Sequence, residues 1–191
     1  MALLQRLLFF PVLITLLMGT LLMFPFFHGH IPRQREAVFI ANLLLLVTAN
    51  KLLSDSLTNE PTMYMMGDWQ AQLDISLVND PLVAVMLLRT AMLALAAHMY
   101  ASADDDQKGP SFHRIFMYQI MGVNGAFLTG DVFNLFVFVF FEILLISSNA
   151  LIIHGGGKQR TQAAVHYVLL NLAGASFSCS ALRFCTRLSG R

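Results

Sequence analysis

The sequence predicts an all-α, polytopic transmembrane helix bundle of about six helices, and composition, layout and periodicity each point there. Hydrophobic residues make up 57% of the 191-residue chain and charged residues 12%, with a mean hydropathy of +0.65. A soluble domain carries about 25% charged residues. Halving that leaves too little polar surface to keep the chain dissolved, so its apolar surface must face lipid. Apolar runs near the ~20 residues that a membrane helix needs recur between short polar loops. Alternating strand patterns are missing, which leaves a β-barrel little support. A net charge of +1 says nothing for nucleic acid, which needs a clustered basic face, and no such partner is expected.

The first apolar stretch, Leu3–Phe27, exceeds the about 7–15 residues of a signal-peptide core and lacks a small-residue cleavage site. At about 1.5 Å per residue it can cross a ~30 Å hydrocarbon core, so it is expected to stay as a transmembrane helix. Further spans are expected at Glu36–Leu57, Asp80–Tyr100, His113–Gly130, Val132–His154 and Thr161–Leu182. They are apolar nearly all round, as helices in lipid should be. Thr129-Gly130-Asp131 is a turn signal, so the fourth and fifth spans read as antiparallel helices joined by a tight loop.

Lys and Arg in the short loops set the orientation. Arg33 and Arg35 follow span one, Lys108 and Arg114 follow span three, and Lys158 and Arg160 follow span five. All fall on one side, which is therefore cytoplasmic. The second loop is acidic, with Asp55, Glu60, Asp68 and Asp74, and the N-terminus is expected in the periplasm of a bacterial inner membrane. Arg6 argues mildly the other way. Arg183, Arg187 and Arg191 put a cationic tail on the outer face, against the rule.

A charge at mid-bilayer costs at least ~2.5–3.5 kcal/mol on insertion scales, so each one needs a reason. Glu142 lies near the centre of span five among Phe and Leu, with no basic residue within a helical turn. It is either a neutral carboxyl filling a helix contact or a proton-carrying site. A group that gains and loses a proton near mid-membrane is what a relay requires. Arg89, midway along span three, is a candidate charge partner for Glu142, although snorkelling is an alternative. Asp131 is expected to cap span five, where a carboxylate meets free N–H groups. Asn124, Asn134, Ser147, Ser148, Asn149, Asn171 and Ser176 are expected to bond between helices, while Gly122, Gly125 and Gly174 let backbones approach.

His28, His30 and His154 fall at membrane edges, and His28-x-His30 is a weak metal site without an acid or thiol partner. His166, inside span six, is a second candidate on a proton path, or an ordinary helix contact. Cys179 and Cys185 suggest neither a disulfide framework nor a zinc site. Gly155-Gly156-Gly157-Lys158 lacks the spacing, the following Ser/Thr and the preceding strand of a phosphate loop. No catalytic or haem arrangement is present in the sequence, so neither an enzyme nor a resident cofactor is expected.

The stretch Met121-Gly122-Val123-Asn124-Gly125-Ala126-Phe127-Leu128-Thr129-Gly130-Asp131, continuing through Glu142 to Ser148, resembles the D-type subunits of multisubunit (Mrp-type) monovalent cation/proton antiporters. His166-Tyr-Val-Leu-Leu-Asn-Leu-Ala-Gly174, Gly67-Asp68-Trp69 and Asp80 are similar to the same family. The superfamily includes the antiporter-like membrane subunits of NADH–quinone oxidoreductase. The resemblance implies the N-terminal part of a proton-conducting transporter fold of about fourteen helices, with inverted repeats carrying the ion path. It implies Glu142 as the proton-carrying acid, protons and K⁺ or Na⁺ as cargo, and the other subunits of a hetero-oligomeric complex as partners. The family's partner lysines lie on later helices.

The chain departs from the family in three places. Asn134 and Glu142 are separated by two more residues than usual, which turns a helix by about 200° unless a bulge absorbs them. Arg89 stands where the family is uncharged. From Ser178 the sequence no longer follows the family, as a frameshift near Ser176–Ser178 would produce. The expected organisation is two helices and a periplasmic loop over residues 1–79, spans three to six over 80–177, and an atypical tail over 178–191. Without the later helices the chain is expected not to transport alone; the other readings are a membrane-arm subunit of a redox-driven proton pump and a non-transporting assembly fragment.

Overall fold

A computed structural model describes residues 8–24, 30–58, 62–65, 76–103, 109, 111–130 and 135–189. The described elements are α1 (Phe10–Leu21), α2 (Ile31–Thr58), β1 (Thr62–Met65), β2 (Ser76–Asn79), α3 (Pro81–Ala101), α4 (Phe112–Leu128), α5 (Leu135–Ile153) and α6 (Lys158–Ser189). The helices follow the expected spans in order. Of the described helices, α2 and α3 are long and apolar enough over 18-residue windows to cross a membrane by length and composition.

Local chemistry sets the boundaries. α1 stops at Leu21, short of the expected Phe27, and its last turn tightens as Met23 N–H bonds the Thr20 carbonyl at 3.0 Å. Pro25 follows, and the residue before a proline is pushed out of the helical region. α2 begins earlier than expected and takes Arg33 and Arg35 into its first turns. α3 opens on Asp80, whose Oδ1 accepts the Val83 N–H at 2.7 Å, followed by Pro81 at the first helical position. Together they form a strong N-terminal signal: the carboxylate satisfies an orphan donor and proline removes another.

α2 and α3 pack through a seam of small residues. Ala41 and Ala49 on α2, and Ala84, Ala91 and Ala94 on α3, are buried, which lets two backbones approach as membrane helices prefer. Leu45, Leu52 and Leu87 fill the spaces between them. α4 packs on α1 and α5, and α5 on α6.

The loop between α2 and α3 holds a two-stranded antiparallel hairpin, with Thr62 opposite Asn79 and Met65 opposite Ser76. No alternating pattern in the sequence marks it. Leu77, fully buried, also pairs with Thr129 just past the end of α4. Asn79 Nδ2 donates to the Leu52 carbonyl at 3.3 Å. One end of the bundle is thereby tied together by main-chain and amide bonds.

The other end gathers the cations. A guanidinium nitrogen of Arg35, at the start of α2, donates to the Ser102 carbonyl just past α3. Arg114 donates to Ser111 Oγ at 3.0 Å, and Arg160 reaches back to the His154 carbonyl across the α5–α6 turn. α2 and α3 thus run antiparallel. The expectation that the cationic loops share one face is met for these arginines, while Lys108 lies outside the described residues. The α5–α6 turn uses Gly155, Gly156 and Gly157 at φ of 87°, 71° and 110°, a left-handed run that only glycine adopts without strain. The apparent phosphate loop is therefore a chain reversal.

Candidate functional site

α5 carries the acid that the sequence singles out. From Leu135 to Ile153 it is unbroken α-helix, so no bulge absorbs the two extra residues within its described length. Asp131 and Asn134 lie outside the described residues, and so does the capping bond expected of Asp131. Glu142 is exposed on the surface of this chain, not enclosed by α1–α6. Arg89 is exposed on α3. Among the described residues no ion pair joins Arg89 to Glu142. α3 packs mainly on α2 and α4, whereas α5 packs on α4 and α6, so the two charges stand on helices without a shared major interface.

Beside Glu142, α5 is held tightly to α4. A Cβ added at Gly122 would meet the N, Cα and Cβ of Leu144 at 3.2 Å each, so glycine there permits the approach that the sequence suggested. One turn away, Gln119 Oε1 accepts from Ser147 Oγ at 2.7 Å and from Ser148 Oγ at 2.8 Å. Ser147 and Ser148 are thus interhelical, as expected. Asn124 is buried on α4. A correction applies to Gly174, where an added Cβ would meet nothing within 4 Å. Asn171 and Ser176 are also exposed, and Ser176 bonds only within α6, to the Ala173 carbonyl at 2.8 Å. From Leu169 to Ser178 every residue of α6 is exposed, so this stretch is open all round and not on one face.

His166 is exposed on α6, its Nδ1 2.8 Å from the Gln162 carbonyl. A carbonyl only accepts, so Nδ1 carries the hydrogen and Nε2 keeps the lone pair. α6 runs through Ser178 to Ser189 without a break. Among the described residues no group of three or more His, Cys, Asp or Glu side chains could hold a metal.

The cation-rich end holds a feature that the sequence did not flag. His98 on α3 and His113 on α4 are each 1% exposed, with ring centroids 5.4 Å apart in an edge arrangement. Phe112 lies 5.5 Å from His113 and 5.5 Å from His154. Phe116 stacks on Phe112 at 5.9 Å. The heptad-like run Leu87, Ala91, Ala94, His98, Ala101 was the available signal: it places His98 in the α2–α3 seam.

No family model matches the chain. It is 48% identical over 113 residues to the D subunit of a probable K⁺/H⁺ antiporter of Rhizobium meliloti, covering 59% of this chain and 21% of the relative. It is 33% identical over 170 residues to the D subunit of a Na⁺/H⁺ antiporter of Alkalihalophilus pseudofirmus, covering 88% and 34% respectively. The N subunit of an NADH-quinone oxidoreductase from Desulforudis audaxviator is 34% identical over 152 residues, covering 77% and 30%. The chain therefore spans about a third or less of the length of these relatives. Its fold matches a chain of the Mrp complex from Dietzia sp. DQ12-45-1b with a TM-score of 0.81 and 25% identity, over 92% of this chain and 33% of that one. In sequence and in fold, this chain is a homologue of the D-type antiporter subunits, an all-α membrane helix bundle equivalent to about one third of such a protein.

Proposed function

We propose that this chain is part of the membrane subunit of a monovalent cation/proton antiporter, that it works within a hetero-oligomer, and that Glu142 carries the proton. The observation that carries the reading is the position of Glu142: an acid in an apolar helix, exposed on a flank that α1–α6 leave open, in a chain with the fold of an Mrp-complex subunit. A carboxyl in such a helix is costly unless it serves an ion path or meets a partner. The open flank is where later helices or a neighbouring subunit would supply the counter-charge. His166, with Nε2 able to take a proton, is the next candidate on that path, and Asp131 a third. K⁺ and Na⁺ are equally compatible with these residues.

Positive residues at the Arg35–Arg114–Arg160 end support a cytoplasmic position for that end, with the hairpin end outside, in a bacterial inner membrane. Among the described residues no ion pair reaches Glu142, and on this reading these residues alone do not exchange ions. Proteoliposomes holding only this chain, loaded with a pH-sensitive dye and given a K⁺ or Na⁺ gradient, should show no cation-dependent proton flux.

The positive test is a chimera in which this chain replaces the matching third of a D-type antiporter subunit, assayed for exchange in everted vesicles. Glu142→Gln should lower exchange at least about ten-fold, because an amide cannot release a proton. Exchange that survives it at full rate removes Glu142 from the path. Arg89→Gln is the comparison: exchange unaffected by it excludes Arg89 as the counter-charge. A second reading, a membrane subunit of a redox-driven proton pump, draws on the 34% identity to the NADH-quinone oxidoreductase relative. Exchange driven by a cation gradient without electron transfer would decide against it.

A further inference from the structure

We propose that copies of this chain associate in the membrane through Arg89 on α3 of one and Glu142 on α5 of the next. Both charges sit among exposed apolar side chains: Arg89 between Val85 and Met92, Glu142 beside Phe141 and Ile146. Among the described residues neither charge makes a hydrogen bond or an ion pair. α3 and α5 share no major interface that would bring the two together within one chain. The other charged residues of the described helices lie toward helix ends. A charge so far into an apolar helix calls for a counter-charge.

The fold sets both charges at one depth. His98 on α3 meets His113 on α4, and Gly122 on α4 lies against Leu144 on α5. Counted along these antiparallel helices from the two contacts, Leu82, Thr129 and Val137 stand level near the hairpin end, where Thr129 pairs with Leu77. Arg89 then lies about 10 Å further in and Glu142 about 8 Å, at about 1.5 Å per residue. Helical side chains lean toward the N-terminus, here the hairpin end for both helices, and the longer arginine leans further, which offsets the difference. Copies inserted in the same orientation therefore present guanidinium and carboxylate at matching depth, suited to a two-point hydrogen-bonded pair. A lipid phosphate would answer Arg89 but repel Glu142, whereas a second copy answers both. The two faces differ, so the contact is heterologous. A pair of copies still offers one free Arg89 and one free Glu142, and association goes on until a ring closes or a row forms.

The test is association of the intact chain, dye-labelled at its N-terminus in lipid vesicles, read by energy transfer and by photobleaching steps per spot. Wild type should associate as its density in the bilayer rises. Arg89→Gln and Glu142→Gln should each need at least about ten-fold higher density, as loss of an intramembrane charge pair implies. Mixed together, the two variants should pair again, since one keeps the carboxylate and the other the arginine, and their steps should stop at two. Recovery on mixing also shows that both variants fold. A monomeric wild type, single variants that associate like wild type, or a mixture that stays monomeric would overturn the proposal. So would association that depends on Arg89 alone and on anionic lipid, the mark of a phosphate partner. If a variant fails to insert, cross-linking with both charges in place decides. Met92→Cys and Ile146→Cys copies, on a Cys179→Ser and Cys185→Ser background, should cross-link to each other and neither to itself; no cross-link, or self-linking, overturns the contact. The readout is association and not transport, so this contact and the proton role of Glu142 fail separately.

Discussion

Replacing Gly122 with alanine tests the seating of α5 on α4. The new methyl would stand 3.2 Å from the N, Cα and Cβ of Leu144, whereas carbon atoms prefer about 3.5–4.0 Å. Two of those three atoms are backbone, so no rotamer change relieves the contact and the helices must part by a few tenths of an ångström. Overpacking of this kind costs about 1–3 kcal/mol. Alanine also gains about 0.8–1 kcal/mol over glycine in a helix interior. The net expectation for Gly122→Ala lies between no change and a loss of about 2 kcal/mol. Gly174→Ala supplies the reference, because its Cβ meets nothing within 4 Å and it should keep the propensity gain undiminished. The difference between the two variants, about 1–3 kcal/mol, isolates the steric term. Equilibrium unfolding in mixed micelles, followed by far-UV circular dichroism, measures both. Equal stabilisation by the two substitutions would refute the close approach of α4 and α5, and with it the placement of Glu142 two residues from the contact.

Other perturbations follow from the same geometry. Gly157→Ala, at φ 110° with open space around it, should destabilise by about 1–2 kcal/mol through backbone strain alone, read by the same unfolding assay. Asp80→Ala should cost about 1 kcal/mol by removing the cap on Val83 N–H, while Asp80→Asn should retain most of it; amide exchange at Val83 reports the difference. Gln119→Ala should cost about 0.5–1.5 kcal/mol, since interhelical bonds in lipid average near 0.6 each. Ser147 retains a second acceptor in the Ile143 carbonyl at 2.6 Å, so Ser148→Ala should account for most of that loss in a double-mutant cycle.

The helices were legible because their signals are local. Asp80-Pro81 marks the start of α3 by capping chemistry, and Thr129-Gly130-Asp131 separates α4 from α5 by turn propensity. Gly122 was legible as a contact because small residues mark membrane helix interfaces. Gly174 has the same signature without the neighbour, so composition alone could not separate them. The hairpin escaped because its strands are four residues long, with ten residues between them, and one strand also meets Thr129, far away in the chain. Glu142 was identifiable as an acid in an apolar helix, yet the direction it faces is set by how α5 rolls against α4. The His98–His113 contact is likewise tertiary: each residue lies in an ordinary apolar run, and only the packing of α3 on α4 brings them together.

The strap formed by Leu77 pairing with Thr129 divides the molecule mechanically. The end of α4 cannot slide past α2 and α3 without breaking that main-chain pair, and the Arg35–Ser102 bond restrains the opposite end of α2 against α3. These helices are thereby restrained to move as one body. α5 and α6 have no such strap among the described residues; a glycine groove and two serine hydroxyls hold α5, and three left-handed glycines join it to α6. Glu142 therefore sits on the side of the molecule that, among the described residues, side-chain packing holds in place and no main-chain strap does.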